Sequence, residues 1–247
     1  VYETRGKQSG AYSGGTYESQ PYILMNYQDD VESMFTLAHE LGHSLHSEYT
    51  SEQQPYVYAD YEIFVAEVAS TVNETLLTHL LLDTVEDDRL RRHILNEYLE
   101  RFRSTLFRQT MFAEFEHRTH ELSEAGEALT AERLDEIYAD LKGDYYEPAE
   151  IDDRIAREWM RIPHFYRAFY VYQYATGISA AVALVENILD EDDPEAADRY
   201  MDFLSQGSRA YPLELLSDAG VDMSSAAPIE SALSVYGDYL DEMESLL

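Results

Sequence analysis

Hydrophobic residues recur at helical spacing along most of this chain. Apolar side chains three or four positions apart predict one helix from about Val31 to Tyr49 and a second from about Tyr61 to Leu82. Further helices are predicted at residues 87–123, 131–141, 151–160, 169–189, 194–205 and 229–247. The N-terminal part differs, because a Gly/Ser-rich turn at residues 13–15 precedes PYILMNY, a short apolar run opened by proline. The pattern predicts a mainly α fold with a small N-terminal β-hairpin or strand.

The first predicted helix combines an apolar face with an unusual set of polar residues. Phe35, Ala38, Leu41 and Leu45 recur at helical spacing and predict the face that packs into the core. The same stretch, FTLAHELGHSLHSEY at residues 35–49, also holds three histidines and two glutamates. It is therefore either a metal site or only the polar side of a helix in an acidic protein.

Two of these histidines have the spacing of metal ligands. His39 and His43 are four residues apart, so they lie one turn apart on the same face of a helix. In the order His-Glu-Leu-Gly-His, two imidazoles so placed can bind one zinc ion, and Glu40 can reach a water at the metal. Because so short a pattern also arises by chance, the surrounding sequence has to decide.

A catalytic zinc ion needs a third protein ligand and an open position. His46 lies near the same face, but a ligand one turn further along a straight helix cannot close a tetrahedron, so packing is the preferred interpretation. Glu67 lies between apolar residues in IFVAEVASTVNE on the next predicted helix. An inward carboxylate without a partner would be costly, and zinc would supply the partner. We therefore favour Glu67 as the third ligand over a half-exposed helix glutamate.

Three separated blocks resemble a known family: LAHELGHSLHS, QPYVYADYEIFVAEVASTVNE and RIPHFYRAFYVYQYATG. They resemble, in the same order, the oligoendopeptidase F branch of the M3 (thimet-oligopeptidase-like) zinc metallopeptidases. The resemblance extends from KQSGAYSGG to about Gly177. It implies a zincin-type (gluzincin) catalytic domain over residues 1–247, without the family's N-terminal helical part. Because the chain begins with Val1 and not Met, we also expect it to be the C-terminal part of a longer polypeptide.

The resemblance also implies roles for individual residues. It makes His39, His43 and Glu67 the ligands of one Zn²⁺ per chain and Glu40 the general base. It further implies that His164 and a tyrosine of HFYRAFYVYQY stabilise the oxyanion of the reaction.

The tyrosine is harder to assign than the metal ligands. The stretch after His164 is shorter than in the thimet branch, so Tyr166, Tyr170 and Tyr172 all remain candidates, with Tyr172 favoured. Independently of the family, this block holds several neutral hydrogen-bond donors, which is what a developing oxyanion requires. For any single tyrosine, packing in a Tyr-rich helix is the alternative.

The charge of the chain limits its partners. With 49 acidic and 17 basic residues the formal net charge is −32, which argues against nucleic acid and anionic membranes as partners. The acid is dispersed and only Lys7 and Lys142 are lysines, a pattern that favours adaptation to high salt over a local interaction tract. The absence of cysteine excludes disulfides and thiolate metal sites. No signal peptide or membrane span is recognisable, so we expect a cytoplasmic protein.

The sequence thus predicts a zinc-dependent endopeptidase that hydrolyses internal peptide bonds of short oligopeptides, with Glu40 as general base on water at the zinc. PYILMNY is predicted to pair with the extended backbone of the peptide substrate. A related zinc carboxypeptidase and a non-catalytic, zinc-stabilised peptide-binding domain remain as alternatives. Cobalt or manganese could occupy the same ligands.

Overall fold

The structure is a computed structural model that describes residues 4–7 and 9–247. These residues are mainly helical, which confirms the predicted fold class. They form two compact units: the first takes the chain up to Glu100 together with Thr176–Leu247, and the second is Arg101–Ala175. A single catalytic domain over residues 1–247 stays a prediction. Among the described residues, no helix is both long and apolar enough to cross a membrane.

The regular elements follow one another along the chain with short connections. The helices are α1 (Val31–Gln53), α2 (Ile63–Thr84), α3 (Asp88–Arg101), α4 (Arg108–Glu124), α5 (Ala131–Tyr145), α6 (Asp153–Ala156), α7 (Tyr172–Leu189), α8 (Ala196–Leu204), α9 (Pro212–Asp218) and α10 (Ala227–Ser245). A π-helical stretch, Phe102–Phe107, joins α3 to α4, and 3-10 turns lie at Tyr56–Tyr58, Glu158–Arg161 and Pro163–Tyr166.

Two of the predicted helices differ from the structure, and one observed helix was not predicted. The helix expected at residues 151–160 is the single turn α6, capped by the Asp152 side chain, and a 3-10 turn. The helix expected from residue 169 begins at Tyr172, because Phe169 has a φ of 57° and an α-helix excludes that conformation. Helix α9 was missed, since its seven residues are too few for a periodic signal.

The predicted hairpin is present, but its turn lies elsewhere. Strands β1 (Tyr12–Gly14) and β2 (Tyr22–Leu24) pair antiparallel, with Ser13 opposite Ile23. The turn expected at residues 13–15 is wrong, because Ser13 and Gly14 belong to β1 and the connection follows them. β1 also contacts α1, where the hydroxyl oxygens of Ser13 and Ser44 are 2.9 Å apart.

A glycine sets how closely α1 approaches α2 in the first unit. A Cβ at Gly42 would lie 2.5 Å from Ser70 Cα and 2.6 Å from the Ala69 carbonyl oxygen, closer than non-bonded atoms come. The two helices therefore touch backbone to backbone at this point, which only glycine allows. On the other side of α2, apolar residues join a core that also includes residues from α7, α8 and α9.

This contact also explains an error in the predicted core face of α1. Leu41 and Leu45 were expected inside but are 44% and 42% exposed, whereas Phe35 and His46 are buried with Gly42. The approach at Gly42 fixes the rotation of α1, so the buried stripe contains glycine and histidine and the two leucines face outward.

The second unit has its own core, built on α4 and α5. Phe112 and Phe115 of α4 pack against Tyr138 of α5, with ring centroids 6.3 and 5.3 Å from that tyrosine. The chain after α6 is joined to this core through Glu158, whose carboxylate accepts a 2.8 Å hydrogen bond from the Tyr138 hydroxyl and lies 3.0 Å from Lys142 Nζ. Side chains thus anchor a region that has little regular structure.

Candidate metal centre and active site

Three side chains from α1 and α2 converge on one point. The Nε2 atoms of His39 and His43, one turn apart on α1, are 3.1 Å from each other. From α2, the Oε2 atom of Glu67 lies 3.4 Å from His39 Nε2 and 3.6 Å from His43 Nε2. A search of the described residues for His, Asp and Glu side chains close enough together to hold a metal ion finds this group of three.

The triangle formed by these three atoms has the size of one face of a zinc coordination shell. Ligands about 2.0–2.2 Å from a tetrahedral zinc ion lie about 3.3–3.6 Å from one another. The observed edges of 3.4 and 3.6 Å fall in that range, and the third edge, 3.1 Å, is slightly shorter. The donor set of two imidazole nitrogens and one carboxylate oxygen also suits zinc. The residues present therefore fit a zinc ion.

The close helix approach is what lets α2 reach the histidines. Because Gly42 lies between His39 and His43 in sequence, the backbone contact with Ser70 occurs beside the metal cluster. A second contact between α1 and α2 lies one turn away, where Asn73 Nδ2 donates a 3.3 Å hydrogen bond to the Ala38 carbonyl oxygen. These contacts fix the register in which the Glu67 carboxylate meets the imidazoles of α1.

Each histidine of the cluster has a further partner on α2. The backbone of Ala66 forms a hydrogen bond with His43. The Nδ1 atom of His39 lies 3.4 Å from Oε2 of Glu74, a carboxylate that was not predicted to belong to the site. Its spacing was an available signal, since Glu74 follows Glu67 by seven residues, or about two helical turns, and so shares its face.

Burial and the neighbouring carboxylates give the two histidines opposite pKa shifts. Burial lowers the pKa of His39, but the hydrogen bond and charge of Glu74, together with the charge of Glu67, outweigh it and raise the pKa overall. For His43, burial lowers the pKa by more than the charge of Glu67 raises it. Without a cation, a proton in this cluster therefore favours His39.

Glu40 lies next to His39 on α1 and is almost out of solvent. It is 5% exposed, and burial raises the pKa of its carboxyl despite the opposing effects of His39 and of a hydrogen bond from the Ser13 backbone. Its Oε2 atom is buried and has no hydrogen-bond partner. The Glu40 carboxyl therefore lies against strand β1, with one buried oxygen that no hydrogen bond occupies.

His46 takes no part in this cluster. Its ring is buried and stacks on Tyr61, with ring centroids 3.7 Å apart and planes inclined by 4°. Burial lowers the pKa of His46 to about 3, so the imidazole is neutral near pH 7. This agrees with the interpretation of His46 as a packing residue.

The residues expected to act on the oxyanion belong to the second unit. His164 lies in the 3-10 turn before α7, with its ring 5.1 Å from that of Tyr170 and 5.7 Å from that of Tyr174. The hydroxyl oxygens of these two tyrosines are 3.0 Å apart. Tyr166 is 90% exposed and Tyr172, the first residue of α7, is 42% exposed. The oxyanion roles of His164, Tyr172 and Tyr166 stay predictions.

Comparison with known proteins gives the family. The sequence matches Peptidase family M3 over residues 1–235. The chain belongs to peptidase family M3. The resemblance to oligoendopeptidase F found in the sequence is thereby confirmed.

Several relatives of this M3 chain are curated or solved. It is 56% identical to Oligopeptidase PepF of Bacillus subtilis and 49% identical to Group B oligopeptidase PepB of Streptococcus agalactiae, in both cases over the whole chain. Among solved structures, an oligoendopeptidase F from Enterococcus faecium is 48% identical, with a TM-score of 0.79 over 87% of this chain and 39% of that one. A peptidase structure from Chlamydophila abortus is 43% identical, with a TM-score of 0.90 over 100% of this chain and 41% of that one. The M3 chain spans 37% and 41% of the lengths of the two curated relatives.

Proposed function

We propose that this M3 chain carries the catalytic centre of a zinc-dependent endopeptidase that hydrolyses internal peptide bonds of short oligopeptides. The observation that carries the proposal is the triangle of His39 Nε2, His43 Nε2 and Glu67 Oε2, whose edges have the spacing of zinc ligands. These three residues would hold one zinc ion. The names of the relatives, oligopeptidase and oligoendopeptidase F, support the same class of reaction.

Each residue of the centre then has a chemical task. A zinc ion held there would act as a Lewis acid on the scissile carbonyl and make water more acidic. Glu40 would accept the proton of the attacking water at its unpartnered oxygen and then donate it to the departing amine. His164 and Tyr172, with Tyr166 as the alternative, would donate hydrogen bonds to the oxyanion as charge develops on it.

The hairpin would position the peptide. β2 pairs with β1 along one edge, and the other edge of β2 would take the extended backbone of the substrate. Backbone pairing gives affinity that depends little on side chains, which suits an enzyme for varied short peptides.

Replacing the base tests the proposal. Glu40→Gln removes the proton acceptor and leaves the three ligands, so we expect hydrolysis of a quenched peptide to fall by about 10²–10⁴-fold while zinc content stays at one per chain. Glu48→Gln is the matched control, because Glu48 is an exposed glutamate on the same helix. Near wild-type cleavage by Glu40→Gln would rule out this role for Glu40.

The products distinguish the alternatives. Mass spectrometry of early products from a ten-residue peptide should show internal cuts. Ladders of single residues would indicate a carboxypeptidase instead, and stoichiometric zinc without any hydrolysis would indicate a peptide-binding domain.

Adaptation to high salt and a cytoplasmic location are further parts of the proposal. The net charge of −32 destabilises the compact state by repulsion, and salt screens that repulsion. We expect the melting temperature to rise as KCl is raised from dilute to molar concentration. Equal melting temperatures at both ends would remove the argument for salt adaptation.

A further inference from the structure

A second carboxylate of α2 lies against the metal cluster without joining it. Glu74 is 7% exposed, and its Oε2 atom is 3.4 Å from Nδ1 of His39. The other ring nitrogen of His39, Nε2, faces Glu67 at the same distance of 3.4 Å. The imidazole of His39 thus lies between two glutamates, one on the side of the cluster and one behind it.

The position of Glu74 is held by the helix contact that shapes the site. The neighbouring residue, Asn73, is tied by a hydrogen bond to the carbonyl of Ala38, the residue before His39. Carboxylates are seldom buried this far unless they are paired, because desolvation of the charge is costly. The imidazole N–H of His39 is a donor that offsets this cost, at a distance slightly beyond the usual 2.7–3.2 Å range for such a bond.

The two histidines of the cluster are supported differently. His43 has a hydrogen bond with the backbone of Ala66, which is uncharged. His39 faces a carboxylate, which makes an imidazole a more basic ligand and fixes which nitrogen carries the proton. The difference marks His39 as the histidine whose orientation depends on a side chain of the second helix.

We propose that Glu74 is a positioning residue that accepts a hydrogen bond from His39 Nδ1–H and so keeps Nε2 unprotonated and directed at the metal. The inference rests on the proposed function, because it takes His39 as a zinc ligand. Glu74 itself contributes no ligand atom to the cluster.

Zinc affinity is the first measurement. Competition with a chromophoric chelator should show that Glu74→Met weakens zinc binding by about 10–100-fold, the usual effect of removing such an outer partner. Glu74→Gln retains an acceptor oxygen without the charge, so its zinc affinity should lie between those of Glu74→Met and the wild type. The matched control is Glu186→Gln, which removes a carboxylate 3.9 Å from Nε2 of His79, a histidine outside the cluster, and should leave zinc affinity unchanged.

The second measurement needs neither zinc nor peptide. With ¹⁵N-labelled histidine and the metal-free chain at alkaline pH, NMR should show His39 protonated at Nδ1, with the signal assigned by its loss in His39→Asn. Glu74→Met should shift this tautomer towards Nε2–H, and Glu186→Gln should not. A role in packing alone would change the melting temperature and leave the tautomer as it is.

The outcomes separate this inference from the proposed function. An unchanged tautomer together with wild-type zinc affinity in Glu74→Met would overturn the role of Glu74. If Glu74→Met does not fold, Glu74→Gln tests the role of Glu74. Weaker zinc binding by Glu74→Gln at a wild-type melting temperature would support the inference. Wild-type zinc binding would refute it. Failure of the wild-type chain to bind zinc would reject the proposed function, while the tautomer would still report on the contact between Glu74 and His39.

Discussion

The region around His39 and the region around His164 are built from different kinds of backbone. His39 lies within α1, a helix of 23 residues that touches α2 backbone to backbone at Gly42. His164 lies in a four-residue 3-10 turn, in a segment that becomes regular only where α7 begins. Long helices fix ligand spacing through their own geometry, whereas the second segment depends on a few side-chain anchors.

One of those anchors holds a strained residue. Phe169 has a φ of 57°, a conformation that side chains with a Cβ rarely adopt, and its N–H donates a 2.8 Å hydrogen bond to Oε1 of Glu116. Glu116 is itself buried on α4. The His39–His43–Glu67 cluster therefore rests on two long helices packed together, while the segment around His164 needs a buried polar partner to hold its backbone.

The largest effect is expected at the helix contact. Gly42→Ala would push α1 and α2 apart, because the added methyl group overlaps Ser70 and the Ala69 carbonyl. We expect a loss of about 1–3 kcal/mol of stability, or more, and a fall in zinc affinity of at least about 100-fold, because coordination tolerates only tenths of an ångström. Chelator competition and chemical denaturation measure both.

Gly237→Ala is the control for Gly42→Ala. Gly237 lies in α10 of the same unit, and a Cβ there would meet no atom within 4 Å. Because alanine is the better helix former, Gly237→Ala should stabilise the chain by about 0.5–1 kcal/mol and leave zinc binding unchanged. Normal zinc binding by Gly42→Ala would show that the cluster does not depend on the close approach.

Loss of the Glu116 anchor should affect the region around His164 and leave the metal cluster unchanged. Glu116→Met removes the acceptor of the Phe169 N–H, and losing a partly buried hydrogen bond to a carboxylate costs about 1–2 kcal/mol. We expect the second unit to lose protection in hydrogen exchange around residues 163–172, while zinc affinity stays at the wild-type value. Glu116→Gln, which keeps an acceptor oxygen, should restore most of the protection. Equal protection in Glu116→Met and wild type would remove the contrast between the two regions.

The same contrast explains what the sequence could predict. The spacing of His39 and His43 is intrinsic to any helix, so the sequence alone placed them together, and Glu67 followed from its apolar surroundings. The rotation of α1 could not be predicted, because it depends on how closely the backbone of α2 approaches at Gly42. Leu41 and Leu45 were assigned to the wrong face for this reason.

Other errors have a similar origin. Glu74 was missed because its spacing from Glu67 indicates a shared face of α2, while the sequence does not show that this face buries Glu74 against His39. The start of α7 was placed three residues early, because the positive φ of Phe169 is imposed by a tertiary contact with Glu116 and not by local propensity. The placement of side chains on periodic elements was therefore predictable, and backbone fixed by distant partners was not.

His46 should have the smallest effect on stability, and it differs from the other histidines of α1. His46 lies one turn after His43 on the same helix, yet it is a buried base whose pKa burial lowers to about 3, and its Nδ1 atom has no hydrogen-bond partner. Below the pKa of about 6.5 of an unfolded histidine, the unfolded chain binds a proton that the folded chain excludes, so acid lowers stability through His46. At pH 5.5 this amounts to about 1.4 kcal/mol, and at pH 7.5 to almost nothing.

His46→Phe should remove this pH dependence, because phenylalanine keeps the stacking on Tyr61 and cannot bind a proton. We expect the variant to gain about 1.4 kcal/mol over the wild type between pH 7.5 and pH 5.5, measured by urea denaturation of the metal-free chain. His93→Gln, which removes an exposed histidine of α3, controls for the loss of one imidazole. If the free energies of unfolding of His46→Phe and wild type changed with pH in parallel, His46 would accept a proton in the folded chain. Helix α1 would then hold its histidines less rigidly than the metal cluster requires.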